Sequence, residues 1–502
     1  MEKRVKGVLP MDRSEQRVSP SLSENLIYFR NSFAESSDFL AREFQLNGTD
    51  GCVFSMDNLV DKQTVAQSIL NPLLSAPILE LSPMQKFKAI STRVLSTVDQ
   101  RQIYTYGEVL NYLMSGFVIL ALDGCDVMLA IGVQGFPYRT VGEADELMQN
   151  GSKEGFTEVL PINLSMIRRR MKTPNLKFET MQIGSESNTM VCLCYLQHRV
   201  APELLRKLKQ NLNQVDLKTL LSGEYLRPWL ERPSVFSSIG ETDRPDTLCG
   251  KITEGRVAIL VDGTPQVLIV PFLFIENFQT FDDYTHRPFY ATTVRWIKYF
   301  AFFISTFLPG LFVAAATFTP AMIPPTLLGK IAQAEAQTPF TIFVEILLLN
   351  FIYEIMREAG LRVPKNLSHS VSIVGALVIG NAAVNSGLIG APTLMVIALT
   401  ALSSYVTPKI YEPLSFLRLL FILVGGIIGV GGILIGFAII LINMCAKSSY
   451  GVPVTAPVSP FSPKSMRDVL FRSNWKVLAK PPMEVQDLPG SDVTVKHPHN
   501  ED

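Results

Sequence analysis

Two carboxylates, Glu345 and Glu354, interrupt an otherwise apolar run, PFTIFVEILLLNFIYEIM at residues 339–356. A carboxylate left facing lipid is strongly destabilising, so one placed in such a run is a functional candidate that faces water or an ion path, or else a partner subunit's polar group. Nine residues apart, the two point to opposite sides of an ideal helix. Glu354 and Arg357 stand at i, i+3 and are expected to pair near one helix end in a structural role. Glu345 has no such neighbour and, with Asn350, is the leading pore or gating candidate. A second set lies in IVGALVIGNAAVNSGLIGAP, residues 373–392. Asn381 and Asn385, at i, i+4, share a helix face, where they join helices or line a hydrated pore. Gly380 is grouped with them as a gating candidate. Gly375 and Gly387 are small enough to let helices approach closely, and are assigned to packing.

Other chemistry is missing from the sequence. Cys249-Gly250-Lys251-Ile252-Thr253 looks superficially like a phosphate loop, but Pro245 stands where the upstream glycine belongs and Ile252 where Ser or Thr should follow lysine. Neither H-E-x-x-H nor G-x-S-x-G occurs, and the five histidines are not grouped as ligands. Cys192 and Cys194, two positions apart on a strand, share a face and do not form a zinc spacing. The six cysteines read as small buried residues in a reducing compartment. An enzyme is not expected, nor a cofactor or metal. Arg168-Arg169-Arg170 reads as a solvated helix face, with anionic lipid or a neighbouring subunit as alternatives.

The elements that position these residues divide the chain. Its 502 residues carry 45 basic and 45 acidic side chains, which argues against nucleic acid as a partner. Residues 296–446 hold only 12 of those charges. The rest has a charge density near that of soluble proteins. No secretory leader is expected at the start, where the first twenty residues are charged and lack an apolar run.

Before residue 296 the pattern is α+β. Residues 1–20 read as a disordered tail, 21–140 as a first α/β subdomain and 141–295 as a second. Asp123-Gly124 and Asp262-Gly263 each separate two apolar runs, the hairpin signal that arises because both turn positions favour φ > 0. A third hairpin is expected around Ser185-Glu186-Ser187. The strands are apolar on both sides, so both sheet faces should be covered. No fixed-period repeat is visible.

Residues 296–446 read as an all-α polytopic membrane domain of about four spans, with blocks at 299–329, 339–356, 370–408 and 419–446. Splitting the third block near residues 387–392 gives five spans, and splitting the last at its glycine-rich middle as well gives six. Arg287, Arg295 and Lys298 before the first span, and Lys447, Lys464, Arg467 and Arg472 after the last, place both ends in the cytoplasm. Residues 447–502 contain eight prolines and read as a disordered cytoplasmic tail.

Several stretches together resemble one family, the A (alpha) subunits of the GerA-type spore germination receptors of endospore-forming bacteria. They are Gly155-Phe156 with Glu158, Asn163 and Ile167-Arg168-Arg169-Arg170; Thr242-Asp243-Arg244-Pro245-Asp246 followed by Glu254 to Pro265; Asp282-Asp283-Tyr284 with Arg287; Arg357 to Pro364; and Ile373 to Val384. Asp243 replaces the family's Glu, and Asn381 stands where a longer polar or acidic residue is common. The resemblance covers roughly residues 20–475. It implies a subunit of a complex in the spore inner membrane, with a transporter-like B subunit and a lipoprotein C subunit as partners. It also implies oligomerisation into a nutrient-gated ion channel, with membrane lipid as the surrounding partner. A secondary transporter and a membrane-anchored signalling scaffold are the alternatives.

Overall fold

The structure is a computed structural model that describes residues 15–75, 81–95, 97–135, 144, 152–362, 380–463, 465–478 and 484–493. The first α/β unit begins with α1 (Leu22–Ser32), followed by the hairpin β1 (Phe39–Leu46) and β2 (Thr49–Met56). After short helical segments come β3 (Gln100–Ile103), α2 (Tyr106–Leu113), β4 (Phe117–Leu122) and β5 (Met128–Gly132). The second unit has α3 (Leu160–Arg170), β6 (Leu176–Ile183), β7 (Thr189–Leu196), α4 (Pro202–Asn213), β8 (Gly240–Thr242), α5 (Pro245–Thr253), β9 (Val257–Val261) and β10 (Val267–Val270).

The three expected hairpins form: β4 pairs with β5, β6 with β7 and β9 with β10, all antiparallel. A further hairpin, β1–β2, turns at Asn47-Gly48, where both residues have positive φ (43° and 77°). That geometry matches the twist of paired strands.

The two sheets have the same strand order, β1-β2-β4-β5-β3 and β6-β7-β9-β10-β8. The likeness extends to single hydrogen bonds. In the first unit Asp123 accepts from the backbone N–H of Leu22, and Asn25 bonds both backbone groups of Ser19. In the second Asp262 accepts from Leu160 N–H, and Asn163 bonds both backbone groups of Thr157. Each hairpin aspartate thus satisfies an otherwise orphaned donor at a helix start. The chain contains a structural duplication where no sequence repeat was expected, because only these few polar contacts and the apolar alternation need be shared.

Both faces of each sheet are covered. In the second unit Ala258, Leu260 and Ile269 face α3 and α5, while Val257, Ile259 and Leu268 face α4. That second face also receives Val452, Ala456, Val485, Leu488 and Val493. The tail expected to be disordered is therefore packed on this unit at residues 452–456 and 485–493. Its prolines alternate with apolar residues that lose water here. Part of the N-terminal tail is also ordered: Val18 is buried and its N–H donates to Tyr104.

Arg168 corrects a second expectation. It is fully buried, not solvated, and bonds Asp38 of the first unit at 2.9 and 3.0 Å, joining the two units. Arg169 and Arg170 instead converge on Glu154. A comparable cluster lies deeper in the second unit, where Glu276 meets Arg256 and Lys251. Burial alone would raise the Glu276 pKa, but the two cations hold it below the usual carboxylate value. Its stabilisation is therefore complete above the unfolded-state pKa and is lost as pH falls through the folded one. The thermal midpoint of the purified protein should drop through that acidic window, and Glu276→Gln should flatten the slope; an unchanged slope would show that other carboxylates govern acid unfolding.

The remaining described residues are mostly helical: α6 (Pro288–Phe318), α7 (Pro325–Glu335), α8 (Ile342–Arg362), α9 (Ala391–Val406), α10 (Tyr411–Ile428) and α11 (Val430–Cys445). Two segments are long and apolar enough to cross a membrane, Pro288–Phe318 and Pro408–Ile428. At 16 residues, α9 and α11 are shorter, about 24 Å against a hydrocarbon core of about 30 Å. The last apolar block is not one continuous helix. It breaks at Gly429 (φ 77°, ψ −161°), the split at its glycine-rich middle.

Contacts give the helix directions. Phe307 stacks on Phe421, Gly310 lies against Gly425 and Phe318 against Gly429, so α6 and α10 run parallel. Phe343 meets Gly426 while Glu354 meets Ser415, so α8 runs against α10. Gly436 meets Phe421, so α11 folds back along α10. Lys447 then bonds Arg232 and Ser234, returning the chain to the second α/β unit.

Candidate functional site

A buried polar seam runs between α8, α9 and α10. Glu345 is 1% exposed, although it sits among Ile346, Leu349 and Ile397. One of its oxygens accepts from Gly390 N–H at 3.2 Å, and the other has no hydrogen-bond partner among the described residues. The sequence offered no local partner because this one lies 45 residues away, at the turn that starts α9. Asn350 is also buried, with an unpartnered Oδ1. Thr393, Thr400, Ser403 and Ser404 put hydroxyls on the buried face of α9. Thr400 and Ser404 bond back to the helix carbonyls, so a polar stripe is tolerated at little cost. Tyr353 joins α8 to α9 through Ser404 at 2.9 Å.

Near the α/β units the seam ends in a charged knot. Glu354 accepts from Tyr411 at 2.7 Å and Ser415 at 2.6 Å, and Arg418 lies 3.5 Å away. This corrects the expected Glu354–Arg357 pair: the ion-pair partner is Arg418, while the Arg357 guanidinium covers the Tyr411 ring. Arg418 is fully buried, and its Nε and Nη2 lack hydrogen-bond partners among the described residues. Its solitary position beside the uncharged run 419–446 was the available signal for it.

The other sequence candidates scatter. Gly375 lies outside the described residues. Gly380 is buried at ordinary distance from Leu394, 3.4 Å for an added Cβ. Asn381 and Asn385 are both exposed on the single chain. Gly387 ends a helix: its φ is +66°, Leu388 N–H reaches back to Ala383 O, and an added Cβ would lie 3.3 Å from Gln337 O. Close helix approach occurs instead at Gly310 and Gly425. A Cβ on Gly425 would lie 2.5 Å from Gly310 O.

A second polar cluster couples the helices to the soluble units. Arg295 and Lys298 of α6 bond Asp283, and Arg295 also bonds Asp468 of the tail. Of the basic residues expected to flank the first span, Arg295 and Lys298 are thus neutralised inside the protein, while Arg287 is exposed. Burial lifts the Asp468 pKa above its usual value despite Arg295 beside it.

Comparison with known proteins follows the whole chain. The family model described as Bacillus/Clostridium GerA spore germination protein matches residues 27–483. Spore germination protein KA of Bacillus subtilis (strain 168) is 36% identical over 476 residues, covering 93% of this chain and 87% of that protein. Spore germination protein GerLA of Bacillus cereus is 27% identical, covering 93% and 96%. The crystal structure of the N-terminal domain of the A subunit of the Bacillus megaterium spore germinant receptor GerK3 matches at 29% identity and a TM-score of 0.41, covering 52% of this chain and 98% of that one.

Proposed function

Because the chain belongs to the GerA spore germination protein family, we propose that it is the A subunit of a nutrient germinant receptor and that several copies form a ligand-gated ion channel in the spore inner membrane. A transporter-like B subunit and a lipoprotein C subunit complete the complex in this reading. Germinant binding at a partner would favour an open arrangement through contacts that differ between two states.

The observation that carries the channel reading is Glu345. A carboxylate only 1% exposed, with one oxygen unpartnered among the described residues, is costly in an apolar bundle unless another conformation or an ion uses it. The exposed Asn381 and Asn385 supply a polar face for a neighbouring copy or for water. The opposed directions of α6 and α10 against α8 and α11, with the tail packed on the second α/β unit, support a multi-pass arrangement whose soluble parts share one side. In this reading that side is the cytoplasm.

The test is cation flux from liposomes holding the full chain with its B and C partners. Nutrient should trigger efflux, and Glu345→Gln should change its rate about tenfold while the amount of complex stays constant. Equal loss of complex and flux would make Glu345 structural. Uptake of labelled nutrient by this chain alone would favour a secondary transporter, and absence of both activities a signalling scaffold.

A further inference from the structure

We propose that the groove between α8 and α10 binds one phospholipid whose headgroup carries both a phosphate and a primary ammonium, with one acyl chain lying along the groove. This rests on the membrane-spanning reading above, but not on ion conduction.

The groove is an open cavity of about 530 Å³. Its apolar wall includes Leu347, Phe351, Phe416 and Leu419, and its other end Arg357, Tyr411 and Glu412. Phe351 and Phe416 are 64% and 62% exposed, as side chains facing lipid would be. Arg357 and Glu412 are of opposite charge at one mouth, and neither has an ion-pair or hydrogen-bond partner among the described residues. Glu354 beside them is already satisfied by Tyr411, Ser415 and Arg418. A phosphate at Arg357 and an ammonium at Glu412 would complete both. A purely anionic headgroup would meet the Glu412 carboxylate unfavourably.

Depth agrees with chemistry. Arg357, Tyr411 and Glu412 also line a polar cavity of about 660 Å³ whose other walls include Arg227, Glu231 and Glu241 of the second α/β unit. The charged mouth therefore lies where the helices meet the soluble part. From Arg357 to Leu347 is ten residues of α8, about 15 Å, or half of a hydrocarbon core of about 30 Å. That is the reach of an acyl chain in one leaflet. Between the two ends Asn350, 5% exposed and with an Oδ1 that has no partner among the described residues, lines the groove seven residues, about 10 Å, from Arg357.

The experiment reconstitutes the full chain in vesicles containing equal phosphatidylethanolamine, phosphatidylglycerol and phosphatidylcholine, and counts co-purifying lipids by native mass spectrometry. Phosphatidylethanolamine should be enriched on the protein. Arg357→Gln should lower retention of all three about tenfold, and Glu412→Gln should remove the preference for the ethanolamine lipid, since each loses a charge-assisted hydrogen bond. Equal retention of the three lipids by the unaltered chain, or unchanged retention in both variants, overturns the proposal. So does displacement of the lipid by millimolar inorganic phosphate, which would identify a free-anion site. Efficient cross-linking between copies through Phe351→Cys and Phe416→Cys would assign the groove to a second copy. A chain that does not remain with vesicles removes the membrane reading itself; one that remains without lipid preference removes only this proposal.

Discussion

Gly310→Ala destabilises the helical region by about 1–3 kcal/mol, and Gly310→Leu prevents its assembly, because α6 and α10 touch through backbone at this point. A Cβ on Gly310 would overlap Phe421 O, and one on Gly425 would lie 2.5 Å from Gly310 O. A carbonyl cannot rotate away as a flexible side chain can. Either the helices separate, losing contacts along their length, or one bends. Gly380→Ala is the comparison, since its added Cβ lies 3.4 Å from the movable end of Leu394. Thermal unfolding of the purified proteins in detergent measures the difference, and germination of spores carrying each variant tests its consequence. Equal midpoints for Gly310→Ala and Gly380→Ala would show that the α6–α10 contact relaxes freely.

Arg168→Ala costs about 3–5 kcal/mol and separates the two α/β units, because it leaves Asp38 charged and buried without its partner. Asp38 is 2% exposed and takes two bonds from the guanidinium; Ser36 takes a third. Removing both charges tests the cause. Arg168→Met combined with Asp38→Leu should recover much of the loss, since an apolar pair leaves nothing unsatisfied. Thermal unfolding with limited proteolysis between the units distinguishes the cases. A single variant no less stable than the parent would sink the assignment of Arg168 as the joint.

The two predictions concern different links between parts of the same chain. Arg168 joins the first α/β unit to the second, and the Asp283–Arg295–Asp468 cluster joins the second unit, α6 and the tail. The close contact of α6 with α10 then links α6 to the helices that hold Glu354 and Arg418. In the proposed receptor this is a contiguous route from the soluble units to the polar seam.

How far the sequence could be read depended on how local each cause was. The hairpins at Asp123-Gly124 and Asp262-Gly263 were legible because a turn residue between two apolar runs is a local signal; in each the glycine takes the positive φ. Asn47-Gly48 makes the β1–β2 hairpin, which was not among the three expected. The prolines after residue 447 masked Val452, Val485 and Val493, whose burial depends on a sheet face formed some two hundred residues earlier.

By itself the sequence determined the α+β character of the first part, the apolar character of the second, the family and the unusual position of Glu345. Each follows from residue types and short spacings, which act within a few residues of chain. Only the tertiary structure decided that Arg168 is buried, that Glu354 pairs with Arg418 and not Arg357, that two helices meet backbone to backbone at Gly310 and Gly425, and that the two α/β units are duplicates. A buried charge takes its meaning from its counter-ion, and a close-packed glycine from the backbone against it. Both partners here lie tens to more than a hundred residues away, beyond the reach of any local pattern.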